Sequence, residues 1–165
     1  MQKEIMAGVL TISDKGAKGL REDESGKIIL RILEESGLTV VKREIIPDDL
    51  QQIADTLIMW VDKDGLALII TSGGTGLSPT DVTPQAMDQV IDFQVPGMAE
   101  AMRAASLKKT PHAMISRAMA GVRNSSLIIN LPGSPRGAEE NLSVILPALD
   151  HGLSKLAGDT TDCAV

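Results

Sequence analysis

A glycine-rich loop, Thr71-Ser72-Gly73-Gly74-Thr75-Gly76, is the strongest chemical signal in the sequence. Three glycines in four positions let backbone N–H groups turn toward an anion without obstruction by side chains. The loop is not a P-loop, because no Lys-Ser/Thr pair follows at the required spacing, and it lacks the G-x-G-x-x-G dinucleotide fingerprint. It predicts a nest of amides for a phosphate or a similar anion, and the alternative is a plain strand-to-helix connection.

Two carboxylates, Asp48 and Asp81, follow predicted strands and could share Mg²⁺, which prefers a few carboxylates together with ligand phosphates. Asp81 lies at the far end of the glycine-rich loop. Thr83-Pro84 is predicted to cap the next helix, so capping does not require Asp81. Asp48 has a structural alternative, because Gln51 follows three residues later and the two could form a capping box.

Two further polar segments could hold an anion. Pro132-Gly133-Ser134 forms a predicted tight turn before a helix N-terminus, where backbone N–H groups favour an oxyanion, and Arg136 lies close by. Ser13-Asp14 follows the first predicted strand, and the alternative there is an ordinary Asx turn. The two histidines, at positions 112 and 151, form no nucleophile–base pair, and the G-x-S-x-G elbow of serine hydrolases is absent.

Strand patterns alternate with helix-period segments along the chain. Strands are predicted at Met6–Ile12, Leu38–Ile46, Leu66–Thr71 and Ser126–Leu131, with an extended segment over 113–122. Helices are predicted before Gly37, after Pro47, after Thr83, after Pro96 and after Ser134, the last one broken or kinked at Pro147. This order predicts an α/β fold, a single three-layer domain with a mostly parallel central sheet flanked by helices. Four polar segments then lie beyond the carboxyl ends of strands, where open α/β sheets bind ligands. They are Ser13-Asp14, Pro47-Asp48, the loop over 72–83 and the turn over 130–136.

Composition limits the class of protein. The chain has 165 residues, 43% of them apolar and 23% charged, which suits one globular domain and not a disordered segment. One cysteine and two histidines are too few for a disulfide framework or a structural zinc site. The longest apolar run, residues 66–70, is too short to cross a membrane, and no signal-peptide pattern follows Met1. We therefore expect a cytoplasmic domain over residues 1–158 and a flexible C-terminal tail over residues 159–165.

Charge and aromatic content argue against nucleic acid as a partner. The net charge is −6, and one Trp, one Phe and no Tyr leave few rings on which bases could stack. The segment from Ala101 to Ala138 nevertheless contains six basic residues and no Asp or Glu, and this segment is called the cationic segment below. It indicates a small anionic ligand, and the alternative is a solvated surface. Its basic residues are Arg103, Lys108, Lys109, Arg117, Arg123 and Arg136.

The order of these motifs resembles one known family. The glycine-rich loop followed by Asp81-Val82-Thr83-Pro84 is similar to the signature of the molybdopterin adenylyltransferase family of molybdenum-cofactor biosynthesis, which also includes the gephyrin G domain. The resemblance covers nearly the whole chain. It also takes in Thr11-Ile12-Ser13-Asp14, Ile46-Pro47-Asp48, Pro96-Gly97-Met98-Ala99-Glu100, Ser116-Arg117 and Leu131-Pro132-Gly133-Ser134-Pro135.

The resemblance implies a homotrimer of α/β domains that transfers AMP from ATP to the phosphate of molybdopterin, releases pyrophosphate and requires Mg²⁺. It places the family's two essential aspartates at Asp48 and Asp81 as catalytic and metal-binding residues. A molybdate-inserting protein is the expected recipient of the product, with neither nucleic acid nor membrane as a partner. The substrate-binding residues are expected to be Ser13, Asp14, Ser72, Gly73, Gly74, Thr75, Gly76, Glu100, Ser116, Arg117, Pro132, Gly133, Ser134 and Arg136.

One departure from the family pattern keeps a second function open. The family usually has Arg immediately before the aspartate that aligns with Asp81, and this chain has Thr80. The change removes a phosphate partner and favours a non-catalytic molybdopterin-binding or assembly module on the same fold. A more remote alternative is a nucleotide-binding protein with no role for a pterin.

Overall fold

A six-stranded sheet forms the centre of the protein, whose structure is a computed structural model that describes residues 4–163. Its order is β2-β1-β3-β6-β5-β4, and the first four strands are parallel, whereas β5 pairs antiparallel with both β6 and β4. The predicted mostly parallel sheet is therefore confirmed. The strands are β1 Met6–Ile12, β2 Thr39–Ile46, β3 Leu68–Ser72, β4 Phe93–Gln94, β5 Ala120–Arg123 and β6 Ser126–Leu131.

Helices cover both faces of the sheet and give the three layers that the sequence predicts. The helices are α1 Asp14–Ala17, α2 Glu24–Glu35, α3 Leu50–Asp62, α4 Thr83–Val90, α5 Pro96–Leu107 and α6 Pro135–Leu156. One apolar core joins α2, α5 and α6 to one sheet face, and a second joins α3 and α4 to the other. Strand β3 is buried along all five residues, as its continuous apolar run predicts.

The predicted capping box of Asp48 and Gln51 is wrong. Helix α3 is capped by Asp49, whose side chain accepts a hydrogen bond from the backbone N–H of Gln52 at 2.8 Å. The cap moves by one residue because Pro47 and Asp48 remain in the strand-to-helix turn. The carboxylate of Asp48 therefore does not cap α3.

Three other local predictions are also wrong. Thr83 is not the cap of α4 but its first residue, and its hydroxyl donates to the carbonyl of Gly73 at 3.0 Å. Helix α6 is continuous through Pro147, so the predicted break is absent, because packing of its apolar face against the sheet outweighs the one hydrogen bond that proline removes; a kink there stays a prediction. The 3₁₀ turn Pro111–Ile115 covers the start of the extended segment predicted over 113–122, and β5 begins only at Ala120.

The C-terminal end of the described chain contributes no regular element to this architecture. Residues 159–163 follow α6 without forming a helix or strand, and residues 164 and 165 of the predicted tail lie outside the described residues. The boundary at 158 and the flexibility of the tail stay predictions. Of the helices in residues 4–163, none has both the length and the apolar character needed to cross a membrane.

Candidate active site

A cavity of about 680 Å³ opens beyond the carboxyl ends of the parallel strands, and it is called the edge cleft below. Loops after β1, β2, β3 and β6 all reach it, as expected for a ligand site in an open α/β sheet. The edge cleft brings together half of the residues that the sequence singles out. Those that line it are Ser13, Asp48, Ser72, Gly73, Gly74, Asp81, Gly133 and Ser134.

The glycine-rich loop is shaped at two positions that only glycine can occupy without strain. Gly73 and Gly74 have φ of 99° and 68°, in the left-handed region. A Cβ on Gly73 would lie 2.2 Å from the carbonyl oxygen of Ile12, and one on Gly74 would lie 2.3 Å from the hydroxyl of Thr83. The N–H of Gly73 donates to the carbonyl of Leu131 at 3.1 Å, so the loop is tied to the end of β6.

Three backbone N–H groups and one hydroxyl of this loop are available to a ligand. The backbone N–H groups of residues 74–76 donate to no acceptor within residues 4–163. Ser72 lines the edge cleft, and its hydroxyl is buried with no hydrogen-bond partner among the described residues. Because a buried polar group without a partner is costly, this arrangement favours an anion that accepts these hydrogen bonds.

Asp48 and Asp14 lock two of the loops together. The N–H of Asp14 donates to Oδ2 of Asp48 at 3.1 Å, and the N–H of Asp48 donates to Oδ1 of Asp14 at 2.9 Å. Burial raises the pKa of Asp48, the N–H of Asp14 partly offsets that rise, and the negative charges of Asp14 and Asp81 raise the pKa further. The carboxylate therefore lies in an excess of negative charge that a bound cation would relieve.

Asp81 is held at the other end of the loop by its own segment and by Arg117. Oδ2 of Asp81 accepts the N–H of Ser78 at 3.1 Å. Arg117 donates to the carbonyls of Gly76 and Asp81 at 2.9 and 2.7 Å, and to the side chain of Gln85 at 3.2 Å. Two of these bonds fix the loop that carries Asp81, and the third connects the guanidinium to α4.

The donor set at the cleft fits Mg²⁺ better than a transition metal. Among residues 4–163, no three His, Cys, Asp or Glu side chains are grouped as ligands for one ion. Asp48 and Asp81 are hard oxygen donors, and both border the same loop: a Cβ on Gly74 would lie 3.3 Å from Asp48, and one on Gly76 would lie 2.8 Å from Asp81. Two carboxylates suffice for Mg²⁺ when substrate phosphates and water complete its coordination.

A second cavity of about 300 Å³ lies on the far side of the same loop, and it is called the side pocket below. Ser134 lines both this pocket and the edge cleft. Ala99, Met102 and Ile115 give it apolar walls. The remaining predicted residues that line it are Thr75, Gly76, Ser116 and Pro132.

Four predicted residues line neither cavity. Asp14 and Arg117 still contact the site, through Asp48 and through the loop that carries Asp81, and the other two are Glu100 and Arg136. Glu100 lines a separate cavity of about 310 Å³ that it shares with Ser116 and Arg117. Arg136 has a side chain that is 83% exposed and forms an ion pair with Glu140 at 2.9 Å, next to another cavity of about 500 Å³. The structure therefore gathers most of the predicted site around one loop and leaves these two at its periphery.

Most of the cationic segment is bound within the protein. Arg103 donates to the carbonyl of Ala118 at 2.7 Å, Arg123 pairs with Asp62 at 2.6 Å, and Lys109 pairs with Glu140 at 2.8 Å. These contacts connect the segment to carbonyls within it and to carboxylates supplied by the rest of the chain. A run without acidic residues in the sequence is thus not a free cationic surface in the fold.

Sequence reasoning missed the segment between α1 and α2. Arg21 and Asp23 both line the edge cleft. Asp23 is buried and accepts hydrogen bonds from the hydroxyl of Thr11 at 2.9 Å, from the N–H of Gly26 at 2.9 Å and from Arg43 at 3.0 Å. The pattern of an aspartate three residues before Gly26 at the start of an apolar-periodic helix was a capping signal that could have revealed it.

Comparison with known proteins gives a consistent set of relatives. Residues 8–151 match the sequence profile of a family described as "Probable molybdopterin binding domain". The chain is 41% identical over 157 residues to a molybdopterin adenylyltransferase of Helicobacter pylori, covering 94% of this chain and 89% of that protein. It is 38% identical over 162 residues to gephyrin of Dictyostelium discoideum, covering 92% of this chain but only 22% of that much longer protein.

A solved structure shows the same architecture. The molybdopterin biosynthesis enzyme MoaB from Thermus thermophilus superposes with a TM-score of 0.89 at 47% identity, covering 94% of this chain and 98% of that one. At this identity and coverage, the likeness extends to the loops beyond the strands as well as to the sheet.

Proposed function

This chain belongs to the molybdopterin-binding family of molybdenum-cofactor biosynthesis, and on that premise we propose that it is a molybdopterin adenylyltransferase. It transfers AMP from ATP to the phosphate of molybdopterin and releases pyrophosphate. The observation that carries the proposal is that Asp48 and Asp81 border the glycine-rich loop, whose donors at residues 72 and 74–76 have no acceptor among residues 4–163. These groups suit a reaction that brings two phosphates together.

The reaction needs no general base from the protein. The attacking atom is an oxygen of the molybdopterin phosphate, which is ionised near neutral pH because its second pKa is about 6. This oxygen forms a bond to the α-phosphorus of ATP, the bond from that phosphorus to the β-bridging oxygen breaks, and pyrophosphate leaves with the electron pair. A site without a paired histidine or cysteine can therefore be catalytic.

The tasks that remain are positioning and charge neutralisation, and each falls to a named group. The amides of residues 74–76 and the hydroxyl of Ser72 would donate to phosphoryl oxygens. Asp48 and Asp81 would hold Mg²⁺, which when bound neutralises charge that develops on the leaving pyrophosphate. Arg117 keeps Asp81 in place through the loop carbonyls.

The two cavities suggest how the substrates divide the site. The edge cleft is the larger, and most of its lining residues are polar, five of them with carboxylates, which suits the triphosphate of ATP with its metal. The side pocket has apolar walls with Ser116 and Thr75 at hand, which suits a flat, hydrogen-bonding pterin. Ser134 lies between them, so the phosphate of molybdopterin would meet the α-phosphate near the glycine-rich loop.

We also propose a homotrimer that works in the cytoplasm and passes its product to a molybdate-inserting protein. Several large apolar side chains are exposed on this chain, among them Leu77, Phe93, Met114 and Ile115. Burial of such side chains against a second copy would remove an otherwise unfavourable exposed surface. Light scattering of the purified chain would give the mass of a trimer, and a monomer would contradict this part of the proposal.

The test is direct. Purified protein incubated with molybdopterin, ATP and Mg²⁺ should release pyrophosphate and yield adenylylated molybdopterin. Omission of either substrate or of Mg²⁺ should remove the signal, and Asp81→Asn provides the matched inactive protein. Tight binding of both ligands without pyrophosphate release would instead identify a non-catalytic binding module, as the presence of Thr80 would favour.

A further inference from the structure

The edge cleft has an unusual balance of charge for a site that receives polyphosphate. Five carboxylates line it, at positions 22, 23, 24, 48 and 81, and Arg21 is the one Lys or Arg among its lining residues in the part of the chain that the structure describes. The loop from Ser72 to Thr83 contains no basic residue. Whatever cation the protein itself offers to phosphate in this cleft must therefore come from another segment.

Neighbouring cations are already committed to other partners. Arg43 pairs with the buried Asp23 at 3.0 Å, and Lys27 forms an ion pair with Glu22. Arg117 is bound by the carbonyls of the loop, and Arg136 pairs with Glu140 beside a different cavity. These four side chains are therefore held by partners of the protein, and none of them lines the edge cleft.

Arg21 differs from them in both place and contacts. It lies between α1 and α2, where Gly19 has φ of 70° and turns the chain, and Arg21 is exposed. Arg21 takes part in none of the ion pairs and donates none of the arginine hydrogen bonds found within residues 4–163. Two residues later, Asp23 is anchored by Thr11, so the backbone of Arg21 is tethered at the rim while its guanidinium stays available.

A second observation in the same cleft points to an anion. The hydroxyl of Ser72 is fully buried in the cleft wall and lacks a partner within the described residues. An anion that accepts from Ser72 inside the cleft would present its remaining charge toward the mouth, where Arg21 lies. The guanidinium can donate two parallel hydrogen bonds to one phosphate, which a lysine cannot.

We propose that Arg21 binds the β- and γ-phosphates of ATP, the pair that leaves as pyrophosphate. The inference rests on the proposed function and assigns one more residue to it. ATP is the substrate concerned because the edge cleft, and not the apolar side pocket, contains Arg21. Mg²⁺ offsets only two of the charges on the triphosphate, and Arg21 offsets a further one.

The test uses titration calorimetry of the full chain with Mg-ATP, with Mg-pyrophosphate and with molybdopterin. Arg21→Ala should raise the Kd of Mg-ATP and of Mg-pyrophosphate about tenfold, the loss expected for one charge-assisted hydrogen-bonding group. Arg21→Lys should recover only part of this loss. The Kd of molybdopterin should stay within about twofold of the wild-type value, because the side pocket is unchanged.

Lys18→Ala is the matched control. It removes the same charge from the same exposed segment, but Lys18 does not line the edge cleft, so the Kd of Mg-ATP should not change. Equal Kd values for Mg-ATP in wild type and Arg21→Ala would overturn the inference while leaving the proposed function intact. A wild-type protein that binds Mg-ATP and molybdopterin but releases no pyrophosphate would overturn the proposed function alone. Failure of the wild type to bind Mg-ATP would overturn both.

Discussion

Asp23 and Asp48 line the same cleft but have opposite surroundings. Asp23 is buried, accepts from Thr11, Gly26 and Arg43, and is thereby neutralised by the protein. Asp48 is partly exposed, accepts one backbone N–H, and has a pKa raised by burial and by nearby negative charge. The difference separates a carboxylate that holds the fold from one whose charge is left for a ligand to neutralise.

The largest expected effect belongs to Asp81, which shares the unneutralised region with Asp48. Asp81→Asn should reduce turnover several hundred-fold or more, the scale of a group that acts mainly in the transition state. The amide oxygen can still accept the N–H of Ser78, so the melting temperature should hardly change. Pyrophosphate release and thermal melting measure the two effects, and near-normal turnover would return Asp81 to a structural role.

Substitution of Asp23, the neutralised carboxylate, should show the reverse pattern, with the larger effect on the stability of the fold. Asp23→Ala leaves Arg43, Thr11 and the N–H of Gly26 without their acceptor, and we expect a loss of about 2–3 kcal/mol in the free energy of unfolding. Asp23→Asn keeps an acceptor for Gly26 and should cost less. Urea unfolding measures both. If Asp23→Ala were as stable as wild type, the contrast between the two aspartates would fail.

Two arginines test whether a side chain that fixes the loop at the site contributes more to ligand binding than one that only lies near the site. Arg117→Ala should weaken Mg-ATP binding by about 1–2 kcal/mol, because the loop that carries Asp81 loses two hydrogen bonds and its link to Gln85 in α4. Arg136→Ala should change it by less than about 0.5 kcal/mol, since that side chain is exposed and paired with Glu140. Equal effects, measured by calorimetry, would mean that charge alone matters and that loop geometry does not.

The smallest effect concerns pH and the stability of the ligand-free protein. Because folding raises the pKa of Asp48 above its ordinary 3.8, the folded state binds more protons than the unfolded chain between those two pKa values. Stability therefore falls as the pH rises through this window, and the full cost is present above it. Asp48→Asn should be slightly more stable than wild type at neutral pH, by less than about 1 kcal/mol.

The difference in stability between wild type and Asp48→Asn should vanish as the pH falls below 3.8, where the carboxyl of Asp48 is protonated in both the folded and the unfolded state. Addition of Mg-ATP at neutral pH should reverse the order of the two proteins, because only the wild-type carboxylate gains a cation. Melting curves across pH, with and without Mg-ATP, measure both effects. A variant less stable than wild type at neutral pH would show that Asp48 is structural after all.

Sequence periodicity was sufficient for the four parallel strands and for the glycine-rich loop, whereas the short edge strand β4 was not predicted. Strand β3 is a continuous apolar run, and the loop after it has the glycines that its positive φ angles require, so both could be predicted locally. The cap of α3 could not, because Asp48 and Asp49 are both good caps and only the geometry of the turn chooses between them. Pro147 was misjudged because its cost is local while the packing that outweighs it is tertiary.

Charge pairing was the least predictable feature. The cationic segment lacks acidic residues of its own, but its partners, such as Asp62, lie far away in the sequence and meet it only through the fold. The same reason hid Asp23, whose partners Thr11 and Arg43 come from two neighbouring strands. Patterns along the chain report faces and turns, whereas ion pairs depend on which elements become neighbours.

The insertion of β6 beside β3 has a consequence for the nascent chain on the ribosome. Strand β3 is fully buried, yet until residues 126–131 are synthesised it has no neighbour on that side and presents an open apolar edge. Such an edge is a template for pairing with other chains, so fragments that stop before β6 should aggregate. The turn at Gly133 follows β6 directly, and it packs its backbone against Gly73. The growing chain therefore completes its ligand site in the same step that removes its main aggregation hazard.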